Sequence, residues 1–305
     1  MVRAMNYDDV VSVMFQPSPP DAVAGPTVGA SPARRLRDAV EPIAMHSVWS
    51  RQTCERLADL GLDFFGSYVW GRAAALGEPD VGVVVASFAV FSPDLLGTVY
   101  SLARAACPRD VLLAEREAST VASLAAVLDR VDVAPVADAL SAAVGAADGT
   151  GRPLYSGLRS QPWPEDPIGR LWRACELIRE HRGDSHVAAC VVRGLGPVEM
   201  NVLTELWVGM PLGSYTATRG WSAEQIAAAA DSLTRHGSLD DGGGLTATGR
   251  AVRDDIEAVT DAMEQPIVDA LGDDADAVIA QLDAWSARCI AAGAFPPDVF
   301  KRAAG

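Results

Sequence analysis

Lysine is almost absent: Lys301 is the only one, and the other 24 basic residues are arginine. A single lysine near the tail argues against Schiff-base or P-loop chemistry, both of which need a placed lysine. No CxxC pair occurs among the five cysteines, Cys54, Cys107, Cys175, Cys190 and Cys289. Their odd number and scatter through apolar helical patterns suit reduced, buried thiols rather than a disulfide frame or a zinc quartet. No apolar run approaches the roughly 18 residues that a membrane span requires. No basic start followed by an apolar stretch marks a signal peptide, so the expected compartment is the cytoplasm. Glycine-rich nucleotide loops and serine elbows are missing too.

Positive charge is the remaining scarcity. The 305 residues carry 40 acidic against 25 basic side chains, a net charge of −15. Such acidity opposes non-specific attraction to nucleic acid or anionic membrane. The remaining composition, 49% hydrophobic and 21% charged, is that of an ordinary globular chain.

Punctuation divides the chain. Residues 1–30, with prolines clustered around Pro17-Ser-Pro, read as a disordered leader. Helical patterns then fill 31–147, broken at Gly61, Gly77-Glu-Pro79, Ser92-Pro93 and Cys107-Pro108. Residues 148–166 read as a linker and 167–305 as a second domain. In that domain one helix is expected to stop at Gly183, with Asp184 or Ser185 capping the next. Val252, Ile256, Val259 and Met263 form a helical stripe, which Pro266 should bend or break. Val278, Leu282, Trp285 and Cys289 repeat that spacing in the last long helix.

The densest information lies between Trp221 and Asp255. A helix capped by Ser222 should run to His236 and stop at Gly237. A short hairpin turning at Asp240-Asp-Gly-Gly-Gly244 follows, and Thr248-Gly-Arg250 opens another helix. The expected fold is therefore mainly α: a helical N-terminal domain followed by a winged-helix domain with a small β-hairpin wing. The phrase Ala217-Thr-Arg-Gly-Trp-Ser222, Leu233-Thr-Arg-His-Gly-Ser-Leu239 and Gly244-Leu-Thr-Ala-Thr-Gly-Arg250 resembles that of MarR-type winged-helix regulators. Nearly the whole chain from residue 31 also resembles an actinobacterial family of MarR-like proteins with an extra helical N-terminal half and a His181-Arg-Gly-Asp-Ser-His-Val-Ala188 motif.

That resemblance implies a transcription regulator, a homodimer paired through its C-terminal helices, and DNA contacts from Arg219, Ser222, Gln225, Arg235 and Arg250. The residues depart from the pattern. Positions 223–230 are Ala, Glu, Gln, Ile and four alanines, and the wing tip carries Asp240 and Asp241. Residues 197–262 hold four arginines against ten carboxylates. A groove-binding surface needs the opposite sign.

Two other groups can carry chemistry. Phe64, Tyr68 and Arg72 share one helix face, with His46 before it and Phe88 and Phe91 after. They can wall a pocket for a planar or acidic ligand, or simply form core. His181, Asp184 and His186 can supply an acid–base or ligand site beside Glu180 or Glu205, or can merely terminate and cap helices. Their spacing matches no stringent metal motif, no metal is assigned, and the cofactor is unknown. Glu176, Arg179 and Glu180, with Arg173, read as helix-face ion pairs without assigned function.

The reading is thus a regulator-like protein that binds a small ligand or protein partner, with weak or absent DNA contact. The alternatives are a DNA-binding MarR-type regulator and an enzyme using the His/Asp cluster between the two domains.

Overall fold

The computed structural model describes residues 6–19, 21–25 and 30–304, and helix dominates them. The first helices are α1 (Tyr7–Met14), α2 (Pro32–Ala44), α3 (His46–Trp49), α4 (Arg51–Ala58) and α5 (Phe64–Ala73). Next come α6 (Val81–Phe88), α7 (Pro93–Ala106), α8 (Arg109–Leu128), α9 (Ala134–Gly145) and α10 (Pro153–Arg159). The long α11 (Pro167–Val192) leads into α12 (Pro197–Val208), α13 (Ala223–Arg235) and α14 (Ala247–Leu271). Finally α15 (Ala275–Ala291) and α16 (Val299–Ala304) close the chain. Part of the expected leader lies outside the described residues. Within it, α1 is a helix whose Tyr7 hydroxyl donates to the Trp49 carbonyl at 2.8 Å.

The expected winged helix with a β-hairpin is not what forms. Among the described residues there is no strand, only one isolated antiparallel bridge between Leu239 and Leu245. Two features confine the pairing. The Asp240 carboxylate accepts from the Gly242 and Gly244 amides at 2.9 and 2.8 Å, which locks a tight turn. One residue past the bridge, Thr246 already caps α14 by accepting from the Gly249 amide at 3.0 Å. Gly249 also lets the two segments meet: a Cβ there would lie 2.1 Å from the Ser238 carbonyl.

Two helix ends also differ from expectation. α11 runs unbroken through Gly183, and α14 passes through Pro266 to Leu271. Gly183 costs α11 only helix propensity, about 1 kcal/mol relative to alanine, and tertiary burial overrides that. α11 is the central strut, packed against α2, α8, α9, α10 and α14. Asp166 caps it, accepting from the Ile168 and Gly169 amides at 2.8 and 3.2 Å.

One core draws on α2, α8, α9, α10, α11, α14 and α15, with Trp172, Tyr155, Ile178 and Trp285 buried in it. Both expected C-terminal stripes turn inward: Ile256 packs with Cys190 and Met200, while Val278, Leu282, Trp285 and Cys289 join the central core. A second core, around Trp70, Phe88, Phe91 and Tyr100, holds α5 to α7 and α8. Smaller still is the core between α12 and α13, where Val202, Leu203, Trp221, Ile226 and Leu233 meet. No single helix among the described residues is long and apolar enough to cross a membrane.

Candidate functional site

Where these cores meet lies a cavity of about 500 Å³, within the size range of small-molecule sites. Its apolar wall comes from α5, α6 and the loop after α6: Phe64, Tyr68, Phe88 and Phe91, joined by Trp49 of α3. Tyr68 meets Phe91 at 5.8 Å and Phe88 at 6.4 Å between ring centroids. Such tilted and edge-on contacts fix the rings as a rigid surface.

Against this wall stands charge. Seven arginines and Lys301 line the cavity, facing three carboxylates, Glu41, Asp184 and Glu257. The arginines fall into distinct groups. Arg72 lies 4.4 Å over the Phe88 ring and grips Glu180 with Nε and Nη2, at 2.9 and 2.7 Å. Arg179, on α11 beside Glu180, pairs with Glu41 at 3.2 Å and with Glu180 at 3.0 Å. Burial alone would raise the Glu180 pKa, but Arg72 and Arg179 overcome it and hold the carboxyl at about 2.

A second group gathers around one acid. Glu257 on α14 is shared by Arg34 of α2, Arg182 of α11 and Arg253 of its own helix. Although burial opposes ionisation, these three cations drive the Glu257 pKa far below the usual carboxylate range. Arg253 also stacks 4.0 Å over Trp207. Asp38 also pairs with Arg34, and Asp261 with Arg182, yet the guanidinium donors are not all satisfied. Among the described residues, Arg182 Nη1 and Arg253 Nε are buried with no hydrogen-bond partner. His186 faces this group, and burial followed by the Arg253 charge lowers its pKa to about 3, so it is neutral at pH 7.

Arg219 stands apart. It ends the 3₁₀ turn Thr216–Arg219 just before α13, and no ion pair engages it among the described residues. Its guanidinium lies 4.1 Å over the Tyr215 ring and 4.9 Å over Phe91. It donates to the Tyr215 hydroxyl, while its Nε is buried and unpartnered. Together with Arg72 and Arg179, Arg219 helps to hold the Tyr68 pKa below its ordinary value against the effect of burial.

The residues singled out in the sequence are distributed unevenly. Phe64, Tyr68, Arg72, Phe88 and Phe91 converge on the cavity; His46 does not, its Nε2 lying 2.9 Å from the Ser123 hydroxyl in a separate buried spot. Of the motif residues, His181 is turned away. It bonds Glu264 and meets the Tyr155 ring edge-on at 4.9 Å. Asp184 and His186 do line the cavity. Asp184 also accepts from the Tyr155 amide at 3.0 Å, and burial raises its pKa to about 7. The acids expected nearby serve other roles: Glu180 holds Arg72, and Glu205 accepts from the amides of Gly213, Tyr215 and Thr216 at 2.6 to 3.0 Å. Among the described residues, no three His, Cys, Asp or Glu side chains gather into a metal-binding set.

On the α13 face, the Ser222 and Gln225 side chains are engaged in their own capping box, at 3.2 and 2.9 Å. Arg235 and Arg250 are exposed, as are Glu224, Asp231, Asp240 and Asp241. Two of the four arginines in this region, Arg219 and Arg253, face the cavity instead.

A model of a helix-turn-helix family matches residues 33–296, which takes in both the aromatic wall and α12 to α14. The chain belongs to that helix-turn-helix family. The match takes in most of the cavity lining, though Val10, Val13, Met14, Lys301, Ala303 and Ala304 lie outside it. Neither the comparison with curated proteins nor that with solved structures finds a match.

Sequence reasoning missed Arg34, Arg179, Arg182, Arg253 and Glu257 as cavity residues. A signal was present for three of the cavity side chains. Arg179, Arg182 and His186 sit at i, i+3 and i+7, one face of a continuous helix. Ending that helix at Gly183 hid the pattern.

Proposed function

We propose that this helix-turn-helix protein is a regulator-like ligand receptor: a small molecule occupies the cavity, and direct DNA binding is weak or absent. The observation that carries this reading is the cavity itself. It is flanked by aromatic rings and buried guanidinium groups, and it adjoins the turn that leads into α13. Keeping charged groups out of water is costly unless something compensates them. A chain with few basic residues that commits eight of its 25 to one interior space has reason to keep them there.

The outer face supports the same reading. DNA affinity rests on neutralising phosphates, and α13 presents mainly alanine and acid to solvent. The MarR-type likeness, on the phrase from Ala217 to Arg250, belongs to this proposal as a likeness of regulatory role, and so does a homodimer. Because the C-terminal stripes are used within one chain, dimerisation would use another surface. Light scattering should then give twice the chain mass.

Fluorescence anisotropy with labelled duplex DNA at physiological salt tests the central point. We expect no affinity beyond the micromolar range that non-specific binding reaches, about 10⁻⁴ to 10⁻⁶ M. Nanomolar, steeply salt-dependent binding to a defined duplex would favour the DNA-binding alternative.

A further inference from the structure

We infer that Arg219 is the anchor for the ligand's acidic group, and that the ligand is a flat unsaturated acid whose occupancy is felt by α13. The inference rests on the ligand-receptor reading above and deepens it.

Of the cavity arginines, Arg72, Arg179, Arg34, Arg182 and Arg253 all hold carboxylates. Arg219 has rings on two sides and only hydroxyl partners. Stacking satisfies the faces of a guanidinium but not its edge donors. The Nε of Arg219 is buried without a hydrogen-bond partner; with Nη2, which donates to the Tyr215 hydroxyl, it forms the edge that binds a carboxylate or phosphate oxygen pair once the side chain shifts toward the cavity. The body of such a ligand would lie on Phe91, Phe88 and Tyr68, whose rings continue the surface on which Arg219 rests. A flat π-system matches that surface better than a flexible chain, which would lose more conformational freedom on binding.

The link to α13 runs through the loop between α6 and α7. The Phe91 ring lies under Arg219. The neighbouring Val90 carbonyl accepts from Trp221 Nε1 at 2.9 Å and from Asn201 Nδ2 at 2.7 Å. The Ser92 amide donates to the Arg219 carbonyl at 2.9 Å. Ala89 enters this loop at φ +50°, a conformation that a non-glycine residue holds only under constraint. At the other end, Gly220 turns at φ +83° with no room for a Cβ against Leu95, and Trp221 and Ser222 then start α13. A ligand that repositions Arg219 or Phe91 therefore acts on the first turn of α13 through short, directed bonds.

The test uses two dyes with the same ring body: anilinonaphthalene sulfonate, which is anionic, and phenylnaphthylamine, which is neutral. On the full chain, the sulfonate should bind more tightly than the neutral dye. Arg219→Met should weaken the sulfonate by about tenfold or more, as loss of a charge-assisted bond requires, and leave the neutral dye within about twofold. Arg219→Lys, which keeps the charge without the fork, should fall between. Naphthoate and naphthyl phosphate as competitors separate the two oxyanion types, the stronger displacer naming the class. Failure of both to displace the sulfonate overturns the anchor.

Hydrogen exchange at residues 221–226 should slow when the sulfonate saturates wild type and not in Arg219→Met. Unchanged exchange in wild type overturns the coupling. If both dyes bind wild type equally and Arg219→Met alters neither, the anchor is wrong while the receptor reading stands. If neither dye binds wild type, the receptor reading itself falls.

Discussion

His46 is fully buried, with Nε2 against Ser123 and Nδ1 unpartnered among the described residues. Burial lowers its pKa to about 4, below the ordinary value of about 6.5. The unfolded chain therefore takes up a proton that the folded chain refuses. The stability tied to this group is complete above about pH 6.5 and drains away as pH falls toward 4, with a full span of about 3 kcal/mol. His186, lowered further, acts in the same direction. We expect the melting temperature to fall between pH 7 and pH 4.5, and to fall less steeply in His46→Gln. Parallel curves for the two proteins would contradict this assignment. Asp184 has the opposite sign. Its raised pKa means that the folded state keeps a proton which the unfolded chain has lost, so its contribution falls as pH rises from about 4 to 7.

At the scale of elements, the turn between α12 and α13 depends on one acid. Glu205 is fully buried and its carboxylate receives three backbone amides of the turn. Removing it leaves those donors without a partner, so Glu205→Ala should cost about 3 kcal/mol. Urea denaturation checks this through a lower midpoint at unchanged slope; a loss under about 1 kcal/mol would refute the capping role. The sequence exposes these helices well, because apolar stripes and caps such as Ser222 are local signals; the Thr246 cap, two residues before the expected start at Thr248, comes only from the structure. It exposes the aromatic wall for the same reason, since Phe64, Tyr68 and Arg72 share one face of one helix. The wing misleads: a Gly-rich turn between two leucines suggests a hairpin, yet α14 starts too soon for strands to grow. The arginine groups around Glu257 and Arg219 are set by contacts between distant helices. Only Arg179, Arg182 and His186 left a trace, and that trace needed α11 to be continuous.

For the whole molecule, arginines line the cavity while α13 turns mainly alanine and acid to solvent, so on the proposed reading the cavity, not the α13 surface, is the working part. Gly183 gives a direct way to test that. It lines the cavity in mid-helix, and a Cβ built there meets no atom within 4 Å. Gly183→Leu should therefore fill the space while strengthening α11 by up to about 1 kcal/mol. Equilibrium titration of anilinonaphthalene sulfonate into wild type and Gly183→Leu is the decisive measurement. One dye per chain on wild type, with binding lost in a variant that melts no lower, is the predicted result; equal binding by both proteins would contradict the cavity as the binding site.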